Sequence, residues 1–347
     1  MVGTRHARSA IAPGERKVFP DNFPDGLKPR LRLFLSVDLV GSTEYKQSRY
    51  TWRPEILSFY RNFDFVLQAQ HQVFSDTHRE PVAAPEFWKT NGDELLYACE
   101  LQSLAHAHAL MHVWLSALER YRTEFTEGQR HLDVKSTAWI GLFPLPNCEV
   151  FFARGRAQLE PDVARDPVLV QSELRDEWYA GGGGGAIIRD FAGPSIDTGF
   201  RLTAWSTPQR LTLSVDLAFL LTNSGTRGIG PLRLHLSGRQ TLKGVVGDEP
   251  YPRLWVPVDG WSARHDRLEP ATTDWETIRS YCEAIIEQNY SSITPVYLSG
   301  ARHDDFDWVP PYIIKRILAQ WEEEVRYRTE VTGVAPPVDA TFKKQLA

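Results

Sequence analysis

The stretch Leu33–Tyr45, LFLSVDLVGSTEY, decides how the chain is read. Leu33, Phe34, Leu35, Val37, Leu39 and Val40 form an apolar run typical of a strand buried on both faces, closed by Gly41, Ser42 and Thr43. Asp38 stands in the middle of it. A buried carboxylate is costly unless it is paired or binds a cation. A strand that delivers an Asp and turns through small residues into a helix holds that carboxylate at the rim of a sheet, where a hard metal ion can reach it.

Outward from this strand the pattern stays regular. Arg53-Pro54 opens a segment in which Ile56, Phe59, Phe63, Val66 and Leu67 keep helical spacing, and Pro54 suits a first helical turn. PEFWKTNGDELLYACE then predicts two short strands around Asn91-Gly92, with Asp93 at the tip. A long amphipathic helix is expected from Leu101 to Phe125, and an alternating strand from His131 to Phe143. The order β-α-β-β-α-β is that of a ferredoxin-like, palm-type α+β fold, an antiparallel sheet with helices. Residues 144–185 interrupt it with Pro-rich and charged sequence ending in Gly181–Gly185, read as an inserted loop or arm. A strand, tight turn and helix follow over 186–205, and further strands are expected at RLTLSV and in QTLKGVVGDEPYPRLWV. The expected organisation is a flexible arm over 1–30, a catalytic domain over 31–260 with its insertion at 144–185, and a helical extension over 261–347. That extension is read as an accessory layer or a dimer contact.

Bulk composition narrows the function classes. Lys and Arg number 39 against 44 Asp and Glu, so there is no basic excess of the kind that binds nucleic acid or an anionic membrane. A small anionic substrate stays open. The three cysteines, Cys99, Cys148 and Cys282, form no C-x-x-C pair and are read as reduced thiols. No apolar run approaches the roughly 20 residues that span a bilayer, and the first residues lack a signal-peptide core, so the expected location is the cytoplasm.

Asp38 and Asp93 fall at corresponding strand ends and would lie side by side if strand and hairpin are neighbours. Hard Mg²⁺ or Mn²⁺ takes one or two protein carboxylates plus substrate phosphates, and two such ions can stabilise both oxygens of an in-line displacement at phosphorus. His106, His108 and His112 crowd one helix without an acidic or cysteine partner nearby and read as ordinary helix residues. The glycine run lacks the G-K-[ST] ending of a phosphate-cradling loop.

LFLSVDLVGST and KTNGDELLYA resemble the two metal-binding segments of class III nucleotidyl cyclases. The resemblance implies metal-binding positions at Asp38, Leu39 and Asp93, and a base-contacting lysine at Lys89. DFAGPSIDTGFR resembles that family's D-x-x-G-x-x-V-N-x-x-x-R. It implies that Asp190 is the second base-contacting residue, that Arg201 steadies the transition state, and that Asp197 stands where asparagine usually orients the ribose. TLKGVV resembles the late L-K-G segment and implies a triphosphate contact for Lys243. The likeness spans roughly residues 31–257. It further implies two divalent metal ions and a head-to-tail homodimer, with Asp38 and Asp93 from one chain and Lys89, Asp190, Asp197, Arg201 and Lys243 from the other.

A Lys–Asp pair suits adenine or uracil and disfavours guanine and cytosine, whose edges present other patterns. Bulky aromatics would fill the space of a purine's second ring; Tyr50 and Trp88 are the candidates. The chain as a whole resembles the stand-alone uridylate cyclases of bacterial Pycsar anti-phage systems. This implies that UTP becomes cyclic UMP, which switches on a partner effector. Cyclic AMP synthesis from ATP is the alternative, and a catalytically dead cyclase fold used for nucleotide binding or scaffolding is another. NGDELL also resembles the G-G-D-E-F signature of diguanylate cyclases, but Asn91 replaces the first glycine and the 190–201 segment has no place in that pattern.

Overall fold

In the computed structural model the described residues are 23–78, 82–126, 132–153, 167–182, 186–223, 231–258, 262–290, 292–293, 296–298, 309 and 311–333. Most of the arm expected over 1–30, part of the insertion, Gly183–Gly185 and the end of the extension lie outside them.

The apolar run is strand β1 (Arg30–Val40), followed by α1 (Ser42–Ser48) and α2 (Arg53–His78). Gly41 makes the turn between β1 and α1 with φ 82°, a left-handed conformation glycine adopts freely. The hairpin is β2 (Glu86–Asn91) and β3 (Glu94–Glu100). Asn91 pairs with Glu94, so the loop residues are Gly92, at φ 65°, and Asp93, one position later than the sequence reading centred the turn. Helix α3 (Leu104–Tyr121), capped by Ser103, leads to β4 (Asp133–Phe143). The strand order β2-β3-β1-β4, antiparallel throughout, is the expected split β-α-β arrangement.

The 144–185 stretch holds more regular structure than a loop: β5 (Cys148–Ala153) and α4 (Pro167–Glu177). β5 pairs with β6 (Ile187–Ala192) in a separate two-stranded sheet, and α5 (Pro194–Leu202) follows. The main sheet is completed by β7 (Arg210–Leu213), parallel to β4, then β9 (Pro250–Pro257) and β8 (His235–Thr241), giving seven strands with a single parallel pair. Helix α6 (Val215–Leu221), which the strand reading of RLTLSV did not foresee, follows β7. The C-terminal part is helical as expected: α7 (Ala263–Leu268), α8 (Trp275–Gln288) and α9 (Pro311–Thr332).

Alternation along β1 splits its side chains between two cores. Leu31, Leu33, Leu35 and Val37 join Phe59 and Phe63 of α2 and Leu110 and Trp114 of α3. Phe34 faces the other way, onto Leu96, Trp139 and Phe143, covered by Phe191 of β6 and Ile196 of α5. Helix α5 seats on this second face because Gly199 has no side chain: a Cβ there would meet the Trp139 indole at 2.2 Å. His106 and His108 are buried and bond to the carbonyls of Ala83 and Asn223, so the histidine cluster is part of the scaffold. Helix α9 is tied to α4 by a buried, two-pronged ion pair, Arg175 to Glu324 at 2.9 and 2.8 Å.

Asp216, in the first turn of α6, is fully buried and accepts hydrogen bonds from Ser214 Oγ and the Leu217 N–H. Burial outweighs these bonds and pushes its carboxyl up to about 7 from an ordinary 3.8. Between those values the folded chain binds more protons than the unfolded one, so this group's contribution to stability falls as pH rises through that window. The full loss above it is on the order of 4 kcal/mol. Asp216→Asn keeps an oxygen for both donors. It should match the wild type near pH 4 and exceed it in urea midpoint at pH 8; equal midpoints at both pH values would refute this assignment.

Candidate active site

The register of the main sheet sets the site out in rows. Asp38 lies opposite Glu94 on β3 and Lys135 on β4. Two residues along β1, on the same face, Ser36 lies opposite Leu96, which in turn pairs with Lys89 on β2. The acidic end of β1 and Lys89 therefore share the face that also carries Phe34.

Asp38 and Asp93 are brought to one corner, because the Leu39 N–H donates to the Asp93 carbonyl at 3.3 Å. Their side chains are 28% and 25% exposed, so both are accessible from solvent. Lys135 Nζ stands 3.1 Å from Asp38, and Lys46 Nζ 3.8 Å from Asp93, which also accepts from Ser42 Oγ. Tyr60 donates to the Gly92 carbonyl at 2.5 Å, bracing the turn, and burial with the nearby Asp93 charge pushes its phenol up. Glu94 is a buried third carboxylate beside Asp38. Burial raises its pKa, and the Asp38 charge adds to this against hydrogen bonds from Ser36 and Asn91. Neither Glu94 nor Lys135 was singled out in the sequence. Both follow from the register, which no local pattern reveals.

Two partly exposed carboxylates on one rim fit a hard divalent cation that takes its remaining oxygens from a phosphate ligand. Among the described residues no group of three or more His, Cys, Asp or Glu is arranged to hold a metal. Leu39 could contribute only through its backbone carbonyl, since its hydrocarbon side chain carries no donor atom and lies in the core.

Lys89 and Asp190, 101 residues apart in sequence, form a direct pair: Lys89 Nζ donates to Oδ1 at 2.7 Å and to Oδ2 at 3.0 Å. Trp88 Nε1 donates to the same Oδ1 at 2.9 Å, and so does the Phe191 N–H at 2.8 Å. Partial burial alone would raise the Asp190 pKa, but the bonds from Lys89, Phe191 and Trp88 win and hold it below the usual carboxylate range. Both members of the pair stay about one-third exposed, at 35% and 34%.

Arg201 lies one turn beyond Asp197 on α5, so the two share a helix face. Its guanidinium would stand 3.5 Å from a Cβ placed at Gly244, which brings it beside the 242–244 turn that carries Lys243. Gly244 holds φ 72°, and its N–H bonds to Asp248 at 2.5 Å. Asp197, Arg201 and Lys243 are all exposed. Tyr50 is 105% exposed in the turn between α1 and α2 and touches neither Lys89 nor Asp190. Trp88 packs edge-on against Phe34 and Phe191.

The chain thus has an acidic corner, a Lys89–Asp190 pair and an Arg201–Lys243 corner. Among the described residues, no direct hydrogen bond or ion pair joins Asp38 or Asp93 to the other two groups. No helix among the described residues is long and apolar enough to cross a membrane.

No protein-family profile matches the sequence, and no curated protein does. Among solved structures, the chain is similar to the adenylyl cyclase CyaB from P. aeruginosa, with a TM-score of 0.46 and 10% identity over 67% of this chain and 96% of that one. It is also similar to the guanylate cyclase domain of RhGC from Catenaria anguillulae in complex with GTP, at 0.43 and 12% over 66% and 97%. A third likeness is to the guanylyl cyclase Cya2, at 0.39 and 14% over 71% and 98%.

Proposed function

We propose that this chain is a nucleotidyl cyclase that converts UTP to 3′,5′-cyclic UMP and pyrophosphate, acting as a homodimer and supplying a messenger for anti-phage defence. The observation that carries the cyclase reading is the Lys89–Asp190 pair, formed between the two segments that the resemblance names and accessible to a ligand at its edge. The choice of uracil and the defence role rest on the resemblance in sequence.

Each residue has a distinct task in this reading. Lys89 donates to, and Asp190 accepts from, the edge of the base. Arg201 and Lys243 neutralise charge on the phosphates as it shifts toward the leaving pyrophosphate. Asp197 offers an exposed carboxylate to a sugar hydroxyl. Asp38 and Asp93, with the Leu39 carbonyl, would hold two Mg²⁺ or Mn²⁺ ions, which when bound would supply activation of the 3′-hydroxyl and offset charge at the α-phosphate. Little covalent work falls to the protein, so positioning dominates. The resemblance in sequence supports a composite site completed by a second copy, and among the described residues no hydrogen bond or ion pair ties the acidic corner to the other two groups within a chain. Tyr50, free of its own chain, is then available to stack on a base from across the seam.

The deciding experiment incubates the purified protein with Mn²⁺ and, separately, UTP, ATP, GTP and CTP, with products identified by mass spectrometry. Cyclic UMP as the main product is expected. Cyclic AMP would overturn the uracil and defence readings while keeping the cyclase, and no product from any nucleotide would favour the binding or scaffold module.

A further inference from the structure

Strand β2 contains an irregularity whose consequence lies at the base-reading pair. The register with β3 shifts between Phe87, opposite Tyr97, and Lys89, opposite Leu96. Trp88 is the extra residue of this bulge. In a regular strand neighbouring side chains point to opposite faces, and a bulge re-aims one of them. Here Trp88 and Lys89 reach the same carboxylate: the indole N–H at 2.9 Å and the ammonium at 2.7 Å both end on Asp190 Oδ1. The Lys89 ammonium also sits 4.3 Å from the centre of the Trp88 ring, so the tryptophan braces both partners.

The acceptor arithmetic follows. Oδ1 receives three donors, from Trp88, Lys89 and the Phe191 N–H. A carboxylate oxygen offers about two lone pairs, so nothing is left there for a ligand. Oδ2 receives one donor among the described residues, Lys89 at 3.0 Å, and keeps a lone pair. Any rotation of the carboxylate short of a half-turn, which only exchanges two equivalent oxygens, would give up the indole bond. The Trp88 ring is held in turn by Phe34 and Phe191, with centroids 5.3 and 5.1 Å away, and by Phe200 at 6.1 Å.

We propose that Trp88 is a positioning residue that sets base specificity: its indole N–H, together with the Phe191 N–H, fixes the plane of the Asp190 carboxylate, so that Oδ2 stands beside the Lys89 donor as the acceptor for a ligand edge that pairs an N–H with an acceptor. The inference rests on the reading of Lys89 and Asp190 as the base-contacting pair. It assigns Trp88 a role other than filling space, because the indole nitrogen rather than the ring's bulk is what Asp190 requires.

The test is Trp88→Phe, which keeps an aromatic ring in the cluster and removes the donor. A hydrogen bond to a charged group affects binding by about tenfold. The expected result is a KM for the favoured nucleotide about tenfold higher, kcat within about twofold, and discrimination against other nucleotides narrowed by about tenfold. In an Asp190→Ala background the same change should have no further effect. Carbon-13 NMR of the Asp190 carboxyl gives a readout independent of turnover: its titration midpoint should move up in Trp88→Phe. That measurement tests the Trp88–Asp190 bond on which the inference depends even if the wild-type protein cyclises nothing. An unchanged midpoint, a uniform loss of kcat with KM intact, or an equal effect with and without Asp190 would each overturn it.

Discussion

Asp38→Asn is expected to reduce cyclic nucleotide formation by about a thousandfold, the factor that corresponds to about 4 kcal/mol of transition-state charge stabilisation. The substitution preserves size and one oxygen and removes only the negative charge. The fold should survive it. Asp38 lies opposite Glu94 and raises its pKa, so neutralising Asp38 relieves a like-charge contact while weakening the exposed Lys135 pair, which is worth little. Asp93→Asn should behave alike, with Ser42 still able to donate to the amide oxygen. Two measurements separate a lost metal site from a lost fold: Mn²⁺ binding by titration calorimetry should weaken sharply, and the circular dichroism melt should stay within a few degrees of the wild type. Turnover within about tenfold of wild type would remove both carboxylates from the proposed chemistry.

The second large effect is expected at Arg201. Arg201→Ala should lower kcat by about 10² to 10³, with nucleotide affinity changed much less, because the guanidinium is asked to meet charge that grows only in the transition state. Its placement favours this assignment: α5 is seated by Gly199 on Trp139, and Arg201 emerges two residues later beside the glycine of the 242–244 turn. Arg201→Lys should recover part of the rate, since charge returns without the planar fork. Single-turnover kinetics with a non-cyclisable nucleotide as the binding control separates the two quantities. An Arg201→Ala enzyme with normal kcat and weakened binding would recast Arg201 as a ground-state contact.

Both predictions concern residues that the sequence brought forward, and the reason is physical. Asp38 is conspicuous because a carboxylate in an apolar run needs an explanation, and the apolar run is itself a local pattern of period two. Asp93 follows the glycine that the hairpin requires at φ 65°. The helical spacing of Ile56, Phe59 and Phe63 depends only on neighbours within two turns. The strands, helices and order of the β-α-β-β-α-β core were therefore readable in one dimension, whereas β5, α4 and α6 were not, and the residues of the Lys89–Asp190 and Arg201–Lys243 corners came from the family resemblance.

Contacts between distant segments were not readable in that way. Nothing in the sequence around Trp88 discloses a bulge, because a bulge exists only relative to the partner strand, and the indole meets a carboxylate 102 residues away. The parallel placement of β7 beside β4, the pairing of β5 with β6 inside an expected loop, and the Arg175–Glu324 tie between α4 and α9 belong to the same class. They depend on which faces remain unburied after the local elements have formed and on which charges can be paired there, quantities that exist only once the chain has packed. By itself the sequence determined the elements of the β-α-β-β-α-β core and their order, and it offered Asp38 and Asp93 as candidates for chemistry. The tertiary structure decided which of those residues touch, because side-chain direction at Asp190 and Trp88 is set by sheet register and burial rather than by the residues beside them in the chain.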